Sequence, residues 1–106
     1  MIPHLTAPEL AQRLAAGEAL QLLDVREPEE WAIAHLPGAR LVPLATLPEA
    51  LPALDSQADW VVYCHHGVRS LHAAGYMQAQ GFGRVSNLLG GIDAYSAQVD
   101  PALPRY

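Results

Sequence analysis

The stretch Trp60-Val61-Val62-Tyr63-Cys64-His65-His66-Gly67-Val68-Arg69-Ser70 decides how this sequence is interpreted, because it leads from a strand into a helix through the only cysteine. Its first four residues form the apolar run of a buried strand, and residues 70–80 continue as a helix. A thiol at such a turn lies beside free backbone N–H groups and the positive end of a helix. The stretch therefore predicts a thiolate, or an anion held next to it, at the carboxyl end of a strand.

Short apolar segments alternate with helical ones along the rest of the chain. The expected strands are residues 22–25, 39–42, 60–63 and 84–88. The expected helices are one opened by the capping box Thr6-Ala7-Pro8-Glu9 and ending at Gly17, and those at residues 47–54, 70–80 and 92–98. This order predicts an α/β fold: one domain over residues 1–106, with a central, mostly parallel sheet of about four to five short strands and helices on both faces.

Composition and charge argue against several classes of protein. Apolar residues make up 51% of the chain and charged residues 16%, which is typical of a globular domain. The formal net charge is −5, and all fixed positive charges are arginines, so we expect no nucleic-acid binding. No apolar run approaches the roughly 20 residues of a membrane-spanning helix, and no signal peptide is visible. One cysteine excludes an internal disulfide and fits a reducing compartment, so we expect a cytoplasmic protein with no membrane partner.

The loop after Cys64 has the composition of an anion-binding turn. Gly67 allows the chain from His65 to Arg69 to curl with its N–H groups facing inward, and the helix that follows adds positive partial charge. In such surroundings the pKa of a thiol falls from about 8.5 to roughly 3.5–7.5. The loop therefore predicts that Cys64 is a nucleophilic thiolate at neutral pH.

Further motifs flank this loop in a fixed order. Downstream of residues 62–70 come Ala73-Ala74, Gly81-Phe82 and Gly90-Gly91; upstream come Leu23-Asp24-Val25-Arg26-Glu27-Pro28, Glu30-Trp31 and His35-Leu36-Pro37-Gly38-Ala39. Together they cover nearly the whole chain and resemble the rhodanese family, in its single-domain bacterial form. Two positions depart from the family pattern, Ala34 where a glycine is frequent and Tyr95 where a tryptophan is common. Neither departure touches the expected nucleophile.

The resemblance implies transfer of a sulfane sulfur. Cys64 would attack a small anionic donor such as thiosulfate, become a persulfide, and pass the sulfur to an external thiol, cyanide or a protein acceptor. The chain has no second cysteine, so the acceptor must be another molecule. No cofactor is expected, and no metal either, because the spacing of Cys64, His65, His66 and His72 fits no zinc pattern. The residues expected to bind the donor are His65, His66, Gly67, Val68, Arg69 and Ser70.

Two other functions compete with this interpretation. A domain of this kind can relay sulfur between proteins or serve as a regulatory interaction module, with little turnover of small molecules. An arsenate reductase or phosphatase would also place a cysteine and an arginine around an oxyanion. Only four residues separate Cys64 from Arg69, one fewer than in cysteine phosphatases, so the ring is tighter and better suited to one sulfur atom.

Several polar side chains are expected to have structural roles. Asp24 and Arg26 point to the same side of a strand end, and we interpret them as an ion pair that clamps the loop. His35 is expected to make a structural hydrogen bond. Arg69 is expected to face the donor anion. His65 and His66 are adjacent in a loop, so their side chains should point apart, with at least one of them solvated.

Overall fold

A five-stranded parallel sheet forms the centre of the protein, which a computed structural model describes over residues 1–106. The strands are β1 (His4–Leu5), β2 (Leu20–Asp24), β3 (Arg40–Leu41), β4 (Asp59–Tyr63) and β5 (Val85–Leu88). Their order is β1-β5-β4-β2-β3, and every neighbouring pair is parallel. β4 is the middle strand, so Cys64 follows it at the centre of the carboxyl edge, where open α/β sheets place their ligands.

Helices cover both faces of this sheet, which confirms the predicted α/β fold class. They are α1 (Ala7–Ala15), α2 (Pro28–Ile33), α3 (Leu47–Ala50), α4 (Val68–Ala79) and α5 (Gly91–Gln98). Short 3-10 turns at Leu44–Thr46 and Leu51–Ala53 flank α3. None of these helices combines the length and the hydropathy that a membrane-spanning segment requires.

The alternation of side chains along β4 divides the core into two layers. Trp60, Val62 and Cys64 belong to the buried cluster that contains Ala73 of α4, whereas Val61 and Tyr63 belong to the cluster on the other face. That second cluster includes Leu10 of α1 and Ile92 of α5. Successive residues of a strand point to opposite faces, so the apolar run from Trp60 is explained by burial on both sides.

α4 begins earlier than the sequence pattern indicated. We expected a helix from residue 70, but Val68, Arg69 and Ser70 already form its first turn. The reason is Gly67, which precedes the helix with φ of +104° and lets the chain turn directly from the loop into helical geometry. Three of the expected donor-binding residues therefore lie on a helix end rather than in a loop.

Other boundaries also differ, for local reasons. β1 was not predicted, because two residues are too few to show an alternating pattern. The helix expected over residues 47–54 is broken into α3 and a 3-10 turn, since Pro52 has no backbone N–H with which to continue the helical hydrogen bonds. α1 has the expected capping box, with Thr6 and Glu9 bonded reciprocally at 2.9 and 3.2 Å.

Gly91→Ala and Gly75→Ala should change stability in opposite directions. A Cβ at Gly91, where φ is +62°, would overlap the backbone carbonyl oxygens of Cys64 and His65. We expect this substitution to lower the free energy of unfolding by about 2 kcal/mol or more. Gly75 lies within α4 with no heavy atom within 4 Å of an added Cβ, so its replacement should stabilise by about 0.5–1 kcal/mol.

Urea denaturation of the two variants beside the wild type measures both effects. The close approach of α5 to the cysteine loop would be contradicted by a Gly91→Ala protein as stable as the wild type.

Candidate active site

The sulfur of Cys64 is surrounded by hydrogen-bond donors although the residue is only 1% exposed. The backbone N–H of Gly67 donates to Sγ over 3.1 Å, and that of Ser70 over 3.4 Å. The Ser70 hydroxyl also lies 3.4 Å from Sγ. Cys64 thus sits in a small cage of N–H groups, as the glycine at position 67 led us to expect.

The same sulfur acts as the N-terminal cap of α4. Gly67 occupies the N-cap position, but it has no side chain that could accept hydrogen bonds from the free N–H groups of the first turn. Instead, Sγ of Cys64 accepts a hydrogen bond from the backbone N–H of Ser70, the third residue of the helix. An anionic sulfur in this place is stabilised both by the donors and by the positive end of the helix.

The environment holds the pKa of Cys64 below its ordinary value. Burial alone would raise this pKa. The opposing effects, which are larger together, are hydrogen bonds from the Ser70 hydroxyl and from the backbone N–H groups of Ser70, Gly67 and His66. The direction agrees with the thiolate predicted from the loop.

Two hydrogen bonds from α5 hold the cysteine loop in this orientation. The N–H of Ile92 donates to the carbonyl of Cys64 over 2.9 Å, and the N–H of Asp93 donates to that of His65 over 3.1 Å. In a trans peptide the C=O and N–H groups point in opposite directions. Since the His65 carbonyl faces α5, the His66 N–H in the same peptide faces away from α5, toward the sulfur.

The Arg69 side chain is engaged by a carboxylate of α2. Its Nη1 and Nη2 atoms lie 2.6 and 2.9 Å from the two carboxylate oxygens of Glu30, in a bidentate pair. Glu30 also accepts a hydrogen bond from the Tyr106 hydroxyl over 2.7 Å. Arg69 therefore lies at the rim of the site with two of its five N–H donors directed at Glu30 and the others available.

The predicted ion pair between Asp24 and Arg26 is confirmed. Both residues are fully buried, with Nη2 of Arg26 2.6 Å from Asp24 Oδ2 and 2.6 Å from the carbonyl oxygen of Ala34. Nη1 donates to the Tyr106 hydroxyl over 2.7 Å. Arg26 thus joins the end of β2 to the chain after α2 and keeps Glu30 within reach of the cysteine loop.

The two histidines differ from our expectation that they point apart. The rings of His65 and His66 stack with centroids 3.9 Å apart, and Tyr106 stacks on His65 at 3.9 Å with an interplanar angle of 7°. The expected solvation of at least one ring is confirmed for His66, whose side chain is 63% exposed. His35 makes the predicted structural bond, with Nδ1 3.0 Å from the Trp31 carbonyl oxygen.

His65 and His66 also come near a carboxylate, that of Asp93. The ligand atoms of the three residues lie within 4.8 Å of one another. Both oxygens of Asp93 already accept hydrogen bonds from Arg105, at 2.9 and 3.0 Å, and the two histidine rings are stacked rather than splayed around a common point. These contacts favour a packing role for the cluster. His72, the other histidine considered as a metal ligand, is exposed on α4.

Three residues of the site region were not singled out as site residues from the sequence. Glu30 belongs to a quoted motif but was interpreted only as a helix-terminal charge. Asn87, on β5, contacts Ser70, and nothing in its sequence context signals that contact. Tyr106 is 80 positions from Arg26 and 76 from Glu30, so only the folded chain brings them together.

Comparison with known proteins agrees with this geometry. The family model for the rhodanese-like domain matches residues 6–98. This chain belongs to the rhodanese-like domain family. The match includes the whole cysteine loop and all five α-helices of the domain.

Individual relatives of this rhodanese-like domain include long and short proteins. The chain is 46% identical over 90 residues to the Rhodanese-like/PpiC domain-containing protein 12, chloroplastic, of Arabidopsis thaliana, of which it spans only 30%. It is 38% identical over 96 residues to a sulfurtransferase of Allochromatium vinosum, covering 91% of this chain and 90% of that protein. A rhodanese-like domain protein of Staphylococcus aureus has the same fold, with a TM-score of 0.86, 30% identity and 99% of each chain covered.

The Glu30–Arg69 pair should make part of the stability depend on pH. Hydrogen bonds from Arg69 lower the pKa of Glu30 from 4.5 to about 2, against burial and with help from the Glu27 N–H and the Tyr106 hydroxyl. A carboxyl with a lowered folded-state pKa stabilises the fold above its ordinary pKa and loses this contribution as the pH falls toward 2. Glu30→Gln should therefore lose less unfolding free energy than the wild type between about pH 5 and about pH 2.5.

Glu29→Gln is the matched control, because Glu29 is exposed on the same helix. Urea denaturation at the two pH values should show the wild-type loss for this variant. Equal losses in the wild type and Glu30→Gln would contradict the assignment.

Proposed function

We propose that this rhodanese-like domain is a sulfurtransferase in which Cys64 carries the transferred sulfur as a persulfide. The observation that carries the proposal is the cage of hydrogen-bond donors around the only thiol, which lowers its pKa. Such a cage stabilises an anion on a sulfur atom without requiring a neighbouring base. The sulfurtransferase from Allochromatium vinosum, which is similar over nearly its full length, supports the same reaction class.

The proposed reaction has two displacement steps at sulfur. The Cys64 thiolate attacks the outer sulfur of thiosulfate, a new S–S bond forms, and the S–S bond of the donor breaks as sulfite leaves with the electron pair. An external thiolate or cyanide, or the thiolate of a protein acceptor, then attacks the outer sulfur of the persulfide. The Cys64 S–S bond breaks and returns the electron pair to the thiolate, so no redox cofactor is consumed.

Arg69 is proposed to attract the donor anion. Its guanidinium keeps three N–H donors beyond those that bind Glu30, and its pKa is raised by Glu30, so it stays charged. The chain carries a net charge of −5, and a local positive group is needed to bring a dianion to the thiolate. The remaining residues proposed to bind the donor are His65, His66, Gly67, Val68 and Ser70. The single cysteine fits work in a reducing compartment such as the cytoplasm.

Exposure to thiosulfate should add one sulfur atom to the wild-type protein and none to Cys64→Ser. Mass spectrometry of the intact protein measures the adduct, and thermal unfolding shows whether the variant is folded. A subsequent addition of cyanide should remove the adduct and yield thiocyanate. A folded wild-type protein that acquires no sulfur would overturn the thiosulfate reaction, and turnover of an aryl phosphate would favour a phosphatase instead.

Arg69→Ala and Arg84→Ala compare two losses of the same charge. Arg84 is exposed beside the amino end of β5, at the opposite edge of the sheet from Cys64. We expect Arg69→Ala to raise the KM for thiosulfate about tenfold or more, the effect of losing a charge-assisted hydrogen bond, and Arg84→Ala to leave it within about twofold. Steady-state kinetics of thiocyanate formation decide this. Equal effects of both variants would show that only net charge matters and that Arg69 does not bind the donor.

A further inference from the structure

A chain of polar side chains leads from the sulfur of Cys64 into the core. The Ser70 hydroxyl oxygen lies 3.4 Å from Sγ and only 2.5 Å from Oδ1 of Asn87. Asn87 lies on β5 and is 2% exposed, and Ser70 is fully buried. The two contacts of Ser70 share one hydroxyl proton, so the hydroxyl can donate in only one of them.

The orientation of the Asn87 amide follows from its other neighbours. Its Nδ2 atom lies 3.3 Å from the carbonyl oxygen of Gly67 and 3.3 Å from Nδ1 of His4. A carbonyl oxygen only accepts hydrogen bonds, so the NH₂ group has to face Gly67. The opposite end of the amide, Oδ1, consequently faces Ser70.

This orientation determines where the single hydroxyl proton of Ser70 points. Oδ1 of Asn87 also only accepts hydrogen bonds, so the 2.5 Å contact requires the proton of Ser70. A lowering of the Cys64 pKa by the Ser70 hydroxyl requires this proton to face Sγ, but the contact with Asn87 Oδ1 is the shorter one, 2.5 Å against 3.4 Å. The proton therefore faces Asn87, and Ser70 is left with a lone pair toward Cys64. A thiol can donate its proton to that lone pair, whereas a thiolate gains nothing from it.

We propose that Asn87 is a positioning residue of the site. It accepts the hydrogen bond of the Ser70 hydroxyl, so that the Cys64 thiolate receives hydrogen bonds from backbone N–H groups alone. The inference rests on the proposed role of Cys64 as the nucleophile. A thiolate with one hydrogen bond fewer is more basic and, for each thiolate formed, a stronger nucleophile. In a persulfide the negative charge moves to the outer sulfur, so Sγ then needs no donor from Ser70.

The arrangement also explains why a buried amide is placed at this position of β5. If the Ser70 hydroxyl turned its proton to the sulfur, Oδ1 of Asn87 would lose its hydrogen-bond donor, and Asn87 is only 2% exposed. An unsatisfied buried acceptor is costly, and this cost holds the hydroxyl away from the thiolate. The charged and titratable groups around Cys64 are retained in all the variants below, and only His4 loses a contact, the one with Asn87 in Asn87→Leu. These groups are His65, His66, Arg69, Glu30, Asp93, Tyr106, the Asp24–Arg26 pair and His4.

The test is the rate of alkylation of Cys64 by iodoacetamide as a function of pH. Asn87→Leu frees the Ser70 proton for the sulfur. The thiol pKa should fall by about 1 unit, as expected for one added hydrogen bond to a charged group. The rate constant reached at high pH should fall about threefold, because nucleophilicity decreases with basicity. A purely structural role of Asn87 would not lower both together.

Ser70→Ala gives the second arm and avoids the larger change in the core. In the wild-type background it should shift the Cys64 pKa by less than about 0.3 unit, since Asn87 already holds the hydroxyl proton. In the Asn87→Leu background it should abolish the downward shift. Urea denaturation checks that each variant is folded, and if Asn87→Leu is not, Ser70→Ala alone decides.

Two results would overturn the proposal: a rise of about 1 unit in the Cys64 pKa on Ser70→Ala, or the same shift from Asn87→Leu with and without Ser70. Alkylation involves no sulfur transfer, so its outcome is separate from that of the thiosulfate experiment. Coupling between Asn87 and Ser70 in a protein that acquires no sulfur would leave this inference intact and reject only the sulfurtransferase function.

Discussion

The site depends above all on the two hydrogen bonds from the start of α5 to the carbonyls of Cys64 and His65. With these carbonyls held on one side, the peptide N–H groups of the loop are presented on the other, where the sulfur lies. The contact is possible only because residue 91 is glycine, since a Cβ there would overlap both carbonyl oxygens. A helix that follows the last strand thus shapes the loop that follows the middle strand.

A second group of contacts pairs the charged side chains around this loop. Arg26 is buried against Asp24 and reaches Tyr106, Tyr106 reaches Glu30, and Glu30 binds Arg69 at the rim. Both carboxylates of this group, Asp24 and Glu30, are paired with an arginine. The Cys64 sulfur is surrounded by neutral hydrogen-bond donors, and the guanidinium of Arg69 is the charged group of this set that lies at the rim of the site.

The sulfur of Cys64 has two kinds of hydrogen-bonding neighbours: fixed backbone N–H groups and the rotatable hydroxyl of Ser70. Backbone N–H groups cannot be redirected without moving the helix, so they hold any anion on Sγ. The Ser70 hydroxyl can rotate, and Asn87 decides where its proton goes. We therefore expect the backbone N–H groups to lower the pKa of Cys64, and the Asn87–Ser70 contact to keep its basicity and nucleophilicity from falling further.

The sequence by itself determined the mostly parallel α/β fold, the position of Cys64 at the carboxyl end of a strand, and the Asp24–Arg26 pair. These follow from local patterns: apolar runs of strand length, a glycine before a helix, and side chains two positions apart on one strand. Only the tertiary structure decided that Glu30 binds Arg69, that His65 stacks between His66 and Tyr106, and that Asn87 contacts Ser70. Each of these joins residues of different elements, or depends on a ring that a distant residue holds in place. Their distances are set by how helices pack on the sheet, which no short-range pattern records.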